Sequence, residues 1–379
     1  MKANKKLCLI SINSYNELTG GGVYLRTLVN FVLKQNIALT LIDKKNEFKN
    51  YEDENFNHIS FSKSRFTDIV SRLFLLPSFY TPYLFSIAKI CKGHDIIAFH
   101  NSRLGIILYI LKFLLPNKKI ILFTDNFELD LLSQKNNTLT SLLERTLVKL
   151  NECLALKYAD LVSYITHHDK KNMDLYYGFE KNEHLIIPVT FIRNACQNKF
   201  SQEFLEKIKI LQTDPRKKII FTASFDFFPN IDAAKKIVLK ALENPDLIFI
   251  LAGRKVNTLK LQSLDNIFCF DSLSNDEMAK LLSESDIFYS PLVLGSGMKT
   301  KVAEALSYGL YIYASEHTMI GYDEVICDNN IVATITDIRE PFPDYIKKKL
   351  INKVYIKSIH KKYYSYERFL GNELDSLLI

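Results

Sequence analysis

Residues 287–313 read IFYSPLVLGSGMKTKVAEALSYGLYIY, and the fold follows from this stretch. The apolar run 287–290 has no polar alternation, which suits a parallel strand covered on both faces. A loop of small residues then leads into a helical segment over 300–308. Gly309 closes that segment, as glycine does where a helix ends in left-handed backbone. A second apolar run follows at once over 310–313. The whole is a strand–helix–strand unit.

The same unit recurs on either side. Strands are expected at 219–222, 247–251 and 267–270, with helices at 231–242 and 276–283. Toward the N-terminus, strands are expected at 7–12, 38–42, 96–99, 120–124, 161–165 and 185–187. Helices over 23–35, 104–115, 139–158 and 168–177 lie between them. Pro188 and an irregular stretch near 193–201 interrupt the pattern. The expectation is an α/β protein of two doubly wound domains, 1–188 and 189–359, joined near 188–215. A chain of 379 residues is long enough for two cores.

Composition sets limits. Hydrophobic residues make up 47% and charged residues 24%, the balance of a globular chain. The net charge of +7 favours anionic partners, but no nucleic-acid-binding motif accompanies it. The six cysteines are scattered without CxxC pairs, which reads as reduced thiols in a reducing compartment. Segment 1–9 is basic but lacks a signal peptide's apolar core and cleavage site, and no stretch reaches 18 uninterrupted apolar residues. The chain is read as cytoplasmic, with the inner face of a membrane as the sharper alternative. Two surfaces motivate that alternative. One is the lysine-punctuated tail over 347–362, whose ordinary reading is a solvated helix face. The other is 61–92, where basic residues mix with Phe74, Leu75, Leu76, Phe79 and Tyr80 but Pro77 and Pro82 interrupt any long interfacial helix.

The loop at 295–299 carries the chemistry. Backbone N–H groups of Gly297 and Met298 are expected to be free at a helix start, where the dipole favours an anion. Gly297, Lys301 and Glu304 stand at i, i+4 and i+7, which places an anion site, a cation and a carboxylate on one helical face. A nucleotide diphosphate would use amides and lysine for phosphate and the carboxylate for ribose hydroxyls. A glycine turn before a solvated Lys301–Glu304 pair fits the spacing equally well.

The run GSGMKTKVAEAL, residues 295–306, resembles the donor-binding signature of retaining glycosyltransferases of family 4, which have the GT-B fold. Further segments resemble that family in the same order. Phe221-Thr222-Ala223-Ser224 with Pro229-Asn230 is similar to its first C-terminal strand and helix start. Leu251-Ala252-Gly253-Arg254 is similar to the next strand end, and Phe270 and Asp271 occupy the stretch near the nucleobase. Gly20, Gly21 and Gly22 look like its flexible glycine loop beside the donor phosphates. The resemblance implies two Rossmann-like domains facing a cleft, with 360–379 packing back on the first. It also implies a nucleotide-sugar donor bound through Ser224, Asn230, Arg254, Phe270, Gly295, Ser296, Gly297, Met298, Lys299, Lys301 and Glu304.

One departure matters. Many relatives carry two glutamates with seven residues between them, and here Ser296 stands at the first position and Glu304 at the second. Backbone amides or Ser296 must then make the sugar contacts. Lys299 and Lys301 would neutralise the leaving diphosphate. In the N-terminal half, Asp125 resembles a position at the cleft that often holds histidine. It is read either as a general base for the acceptor hydroxyl or as a helix cap. His100, ending strand 96–99, is a second candidate for catalysis, with a structural histidine as the plainer reading. His167-His168-Asp169 lacks metal-ligand spacing, and no HExxH or DxD occurs, so neither metal nor cofactor is implied. The resulting expectation is transfer of a sugar to a glycan or lipid-linked acceptor in bacterial surface-polysaccharide assembly. A non-catalytic nucleotide-sugar-binding subunit of the same fold, or an epimerase, are the alternatives.

Overall fold

The computed structural model describes residues 5–17, 19–35, 37–45, 55–133, 138–179, 183–193, 197–261, 264–295, 297–337 and 339–370. The described chain forms two compact units, one of residues up to Thr190 together with 297–298 and 369–370, and the other built from Phe191–Gly295 and Lys299–Arg368.

In the first unit the strands are β1 (Lys6–Ser11), β2 (Ala38–Lys44), β3 (Phe56–Phe61), β4 (Ile96–His100), β5 (Lys119–Phe123), β6 (Leu161–Tyr164) and β7 (His184–Ile186). Helices α1 (Gly20–Lys34), α2 (Arg65–Leu73), α3 (Leu84–Lys92), α4 (Gly105–Leu114), α5 (Glu128–Ser133), α6 (Leu139–Tyr158) and α7 (His167–Tyr177) connect them. The sheet is parallel throughout, in the order β3-β2-β1-β4-β5-β6-β7. β4 is buried along its whole length and β1 from its second residue, because helices cover both faces. Strand order reverses between β1 and β4, where ligands of doubly wound sheets collect beyond the carboxyl ends. Ser11 and His100 pair in register at that point.

The second unit repeats the plan. Its strands are β8 (Lys217–Thr222), β9 (Leu247–Gly253), β10 (Ile267–Asp271), β11 (Ile287–Ser290), β12 (Tyr311–Ser315) and β13 (Val332–Ile335). Its helices are α8 (Gln202–Thr213), α9 (Phe228–Glu243), α10 (Asn275–Glu284), α11 (Thr300–Tyr308), α12 (Asp344–Lys347) and α13 (Lys353–Tyr363). The order β10-β9-β8-β11-β12-β13, again all parallel, puts the reversal between β8 and β11.

The apolar runs read from sequence are all strands. β3 and β13 were not anticipated: both are sheet edges, and β3 (FNHISF) carries Asn57, His58 and Ser60, so no continuous apolar run marks it. Helix α8 occupies much of the stretch expected as a linker. Gly309 takes the left-handed conformation at φ 79°, and a Cβ there would stand 2.6 Å from the Lys353 carbonyl oxygen. The close approach of α13 therefore requires glycine. Phe191 N–H donates to the Tyr364 carbonyl at 3.0 Å, and residues 360–368 belong to the second unit. Residues 371–379 lie outside the described residues.

Candidate functional site

In the second unit Ser224, Asn230 and Arg254 lie beyond the carboxyl ends of β8 and β9, and Lys299, Lys301 and Glu304 follow β11. The chain leaves β8 at Thr222, and Pro229 helps to start α9. Between them Ser224 is the hub. Its hydroxyl donates to Asp226 at 2.7 Å and accepts from Arg254 Nη2 at 3.2 Å, while its carbonyl accepts from Asn230 Nδ2 at 2.8 Å. Gly253 makes this corner: at φ 139°, its Cβ would stand 1.8 Å from the Ala223 carbonyl oxygen. Asn230 thus holds the corner in shape, and the exposed Arg254 brings the cationic group.

The loop after β11 is fixed from below. Thr318 Oγ1 lies 3.0 Å from Ser290 Oγ and 3.0 Å from Ser315 Oγ, and Ser315 Oγ also donates to the Leu292 carbonyl. Buried Tyr322 clamps the start of α11, donating to the Lys299 carbonyl at 2.7 Å and accepting from Ala303 N–H at 3.0 Å. Val302 N–H donates to the Lys299 carbonyl. Among the described residues the Thr300 and Lys301 N–H groups remain as the open donors of the first turn.

This alters one expectation. Helix α11 begins at Thr300, so Gly297 (φ 69°) and Met298 precede it and do not share its face. Only Lys301 and Glu304 do, paired at 2.7 Å, with Glu304 buried and Lys301 reaching solvent. A Cβ built on Gly295 (φ 108°) would lie 3.7 Å from Lys299 Nζ and 4.0 Å from His317 Nε2, so an ammonium and an imidazole flank that loop. Ser296 lies outside the described residues. Phe270 corrects a second expectation. It is buried, with Phe204 of α8 edge-on at 5.9 Å and Lys207 over its ring, so it has no open face for a base. Its neighbour Asp271 reaches the strand end and accepts from Lys255 N–H and Asn257 N–H, each at 3.1 Å. The Ser272 hydroxyl, with these amides, holds the Asp271 carboxyl below its ordinary value.

In the first unit a buried polar cluster occupies the reversal point. His100 is fully buried. Its Nδ1 shares a hydrogen bond with Ser11 Oγ at 2.8 Å, and Nε2 stands 3.7 Å from Asp125 Oδ2. Burial lowers the imidazole pKa to about 3, so the ring is neutral. His100 touches no open space, so the expectation of direct contact with substrate is corrected. Asp125 follows β5 and accepts from Asn101 Nδ2 at 2.6 Å. The same amide donates to Glu128 at 2.9 Å, and Asn101 reaches both from a left-handed backbone at φ 90°. Arg103 pairs with Glu128 at 2.7 Å. Burial and the Glu128 charge push the Asp125 carboxyl well above its ordinary range.

Glu152 of α6 completes the cluster. It accepts from the Ser102 and Tyr177 hydroxyls and from Glu128 and Leu129 N–H. Burial first, then the Glu128 charge, still raise it to about 7. Gly20, Gly21 and Gly22 are not a loop: they form the first turn of α1, capped by Thr19. A Cβ on Gly21 would meet Asn13 at 1.7 Å and one on Gly22 the Glu17 carbonyl at 2.1 Å, so the glycines admit segment 13–17 against the helix.

Sequence reading missed Asn101, Arg103, Glu128, Glu152, His317 and Tyr322. Asn101 and Arg103 follow a strand end and were within reach of that rule. Glu152 and Tyr322 lie inside or beyond helices, where no local signal marks them. Among the described residues, no group of three or more His, Cys, Asp or Glu side chains is arranged to hold a metal ion. None of the helices there is long and apolar enough to cross a membrane.

Comparison with known proteins bears on this arrangement. Residues 216–350 match the family model described as glycosyl transferases group 1. No curated protein matches the chain. Among solved structures, sucrose-phosphate synthase from Thermosynechococcus elongatus superposes with a TM-score of 0.71 at 12% identity, covering 99% of this chain and 98% of that one. HepE from Anabaena, in complex with UDP and glucose, gives 0.65 at 14% identity, with 98% and 99% covered. The UDP-forming α,α-trehalose-phosphate synthase from Burkholderia vietnamiensis gives 0.66 at 11% identity, with 99% and 96% covered. Residues 216–350 thus carry the glycosyl transferases group 1 pattern, and the whole chain takes the GT-B fold of two doubly wound, Rossmann-like domains.

Proposed function

We propose that this chain is a glycosyltransferase that moves a sugar from a nucleotide-diphosphate sugar to a glycan or lipid-linked acceptor, with retention at the anomeric carbon. One observation carries the reading. Lys299, Lys301, Glu304 and the open first turn of α11 stand together at the switch point of a sheet matched by the group 1 family model. Charge set in advance around a departing diphosphate is the largest catalytic contribution expected of such a site. Lys299 and Lys301 supply it, with the Thr300 and Lys301 N–H groups on the phosphate oxygens. Glu304 accepts from ribose hydroxyls, and Arg254 at the Ser224 corner adds a cation.

The first unit holds the acceptor in this reading. Asp125, held by Asn101 Nδ2 at 2.6 Å, takes the acceptor hydroxyl proton from its ionised form. Retention, and a role in bacterial surface-polysaccharide assembly, rest on the family resemblance. UDP and glucose are the first donor components to try, because HepE was solved with them. The test is release of nucleoside diphosphate by purified chain given donor and acceptor mixtures. Turnover in wild type and its loss in Lys301→Ala support the reading. Tight nucleotide binding without turnover on any acceptor would assign a non-catalytic subunit, and product formation without acceptor an epimerase.

A further inference from the structure

Helix α2 is built inside out. An amphipathic helix on a globular protein turns its apolar stripe to the core. Here the inward residues are polar: Thr67 and Ser71 are buried, while Phe66 (72% exposed), Ile69 (60%) and Leu73 (76%) form an outward ridge at helical spacing. Polar bonds hold the helix to its unit. Ser64 and Thr67 make a reciprocal cap at its start, and Ser71 Oγ accepts from Thr81 N–H at 3.1 Å. At its end Asn151 Nδ2 donates to the Leu75 carbonyl at 2.8 Å. The ridge continues through exposed Phe74 and Leu75. Leu75 takes the left-handed conformation (φ 59°) where a helix end would ordinarily use glycine.

Charge identifies the occupant. The stretch 61–93 carries five basic side chains, Lys63, Arg65, Arg72, Lys89 and Lys92, against the single acid Asp68, and all five bases are exposed. Two copies meeting ridge to ridge would set like charges face to face, which disfavours a symmetric protein interface. A bilayer with anionic headgroups offers the complement: hydrocarbon for the ridge and phosphate for the rim. We propose that α2 and the residues following it dock this protein on an anionic membrane surface, with Phe66, Ile69, Leu73, Phe74 and Leu75 entering the headgroup boundary. Pro77 ends the inserting segment, so the contact is a short helix and its turn. The proposal does not depend on the transferase reading.

The chain contains no tryptophan, so Phe66→Trp gives a single fluorescent reporter at an exposed, apolar position. Full-length protein is mixed with phosphatidylcholine vesicles, with and without phosphatidylglycerol, in the absence of donor. The expected result is a blue shift and co-sedimentation only with phosphatidylglycerol, weakening as salt is raised. Ile69→Glu with Leu73→Glu should reduce binding at least about tenfold with unchanged melting, since both side chains already face solvent. Arg65→Glu with Arg72→Glu should abolish the preference for anionic lipid. No binding to either vesicle overturns the proposal. So does equal binding to both. Concentration-dependent self-association lost in Ile69→Glu/Leu73→Glu, without lipid binding, would assign the ridge to a second copy instead. Diphosphate release measured on the same samples with soluble acceptor keeps this outcome separate from that of the catalytic reading.

Discussion

Glu304→Ala separates ligand binding from folding. The Glu304 side chain is 10% exposed and pairs with Lys301 at 2.7 Å, but the Lys301 side chain is 44% exposed. Its ammonium can turn to water when the partner is removed. An ion pair with one partner so exposed contributes about 0–1 kcal/mol, so Tm should fall by no more than about 4 °C. Hydrogen bonds from ribose hydroxyls to a carboxylate are stronger, and losing them should cost about 1–3 kcal/mol of nucleotide affinity. That corresponds to a rise in Kd of about 5- to 150-fold. The assay is titration calorimetry with whichever of UDP, GDP, ADP and CMP raises the wild-type melting temperature, since only ligands of the folded state do so. Glu304→Gln, keeping one acceptor, should fall between wild type and alanine. An unchanged Kd in a folded alanine variant would remove Glu304 from the binding site and leave the Lys301–Glu304 pair as a solvated surface feature.

Other outcomes follow from the same geometry. Lys301→Ala should lower kcat by at least about tenfold while Tm moves by less than about 4 °C, because its charge acts mainly on the departing diphosphate; wild-type turnover would exclude that role. Gly253→Ala places a Cβ 1.8 Å from a backbone oxygen, so the β8–β9 corner must shift. A stability loss of about 2 kcal/mol or more in denaturant titration is expected, together with weaker nucleotide binding through displaced Ser224 and Arg254. Glu152, ordinarily near 4.5, is raised to about 7 in the folded chain. Its contribution is therefore full below 4.5 and is lost as pH rises through 7, by about 3 kcal/mol. His100, lowered from 6.5 to about 3, works the other way, and its contribution is lost as pH falls from 6.5 toward 3. Stability of Glu152→Gln should fall less steeply than wild type between 4.5 and 7; an identical slope would show that Glu152 does not titrate there.

Much of this architecture is local and therefore readable. A strand covered on both faces needs a short apolar run, and β1, β4, β5, β8, β9 and β11 each advertise one. A helix that must end sharply needs Gly309, and the spacing of Lys301 and Glu304 puts them on one face whatever surrounds them. The edge β3 escaped because Asn57, His58 and Ser60 break up its apolar run, whereas β13 (VATI) carries an apolar run that went unread. The glycines at 20–22 were misread. A glycine can mark freedom or close contact, and only the approach of Asn13 and the Glu17 carbonyl shows that here it is contact.

The sequence alone determined two repeating parallel α/β units and the placing of a glycine-rich loop, two lysines and a glutamate beyond one strand end. Those features depend on neighbours a few residues away. Tertiary structure alone decided that His100 is sealed in, that Phe270 is core, that Asp125 shares its surroundings with Glu128 and Glu152, and that α2 turns its apolar side outward. Each of these depends on what packs against a side chain from distant parts of the chain. Burial and the field of neighbouring charges set both exposure and proton affinity, and neither is encoded in any short stretch.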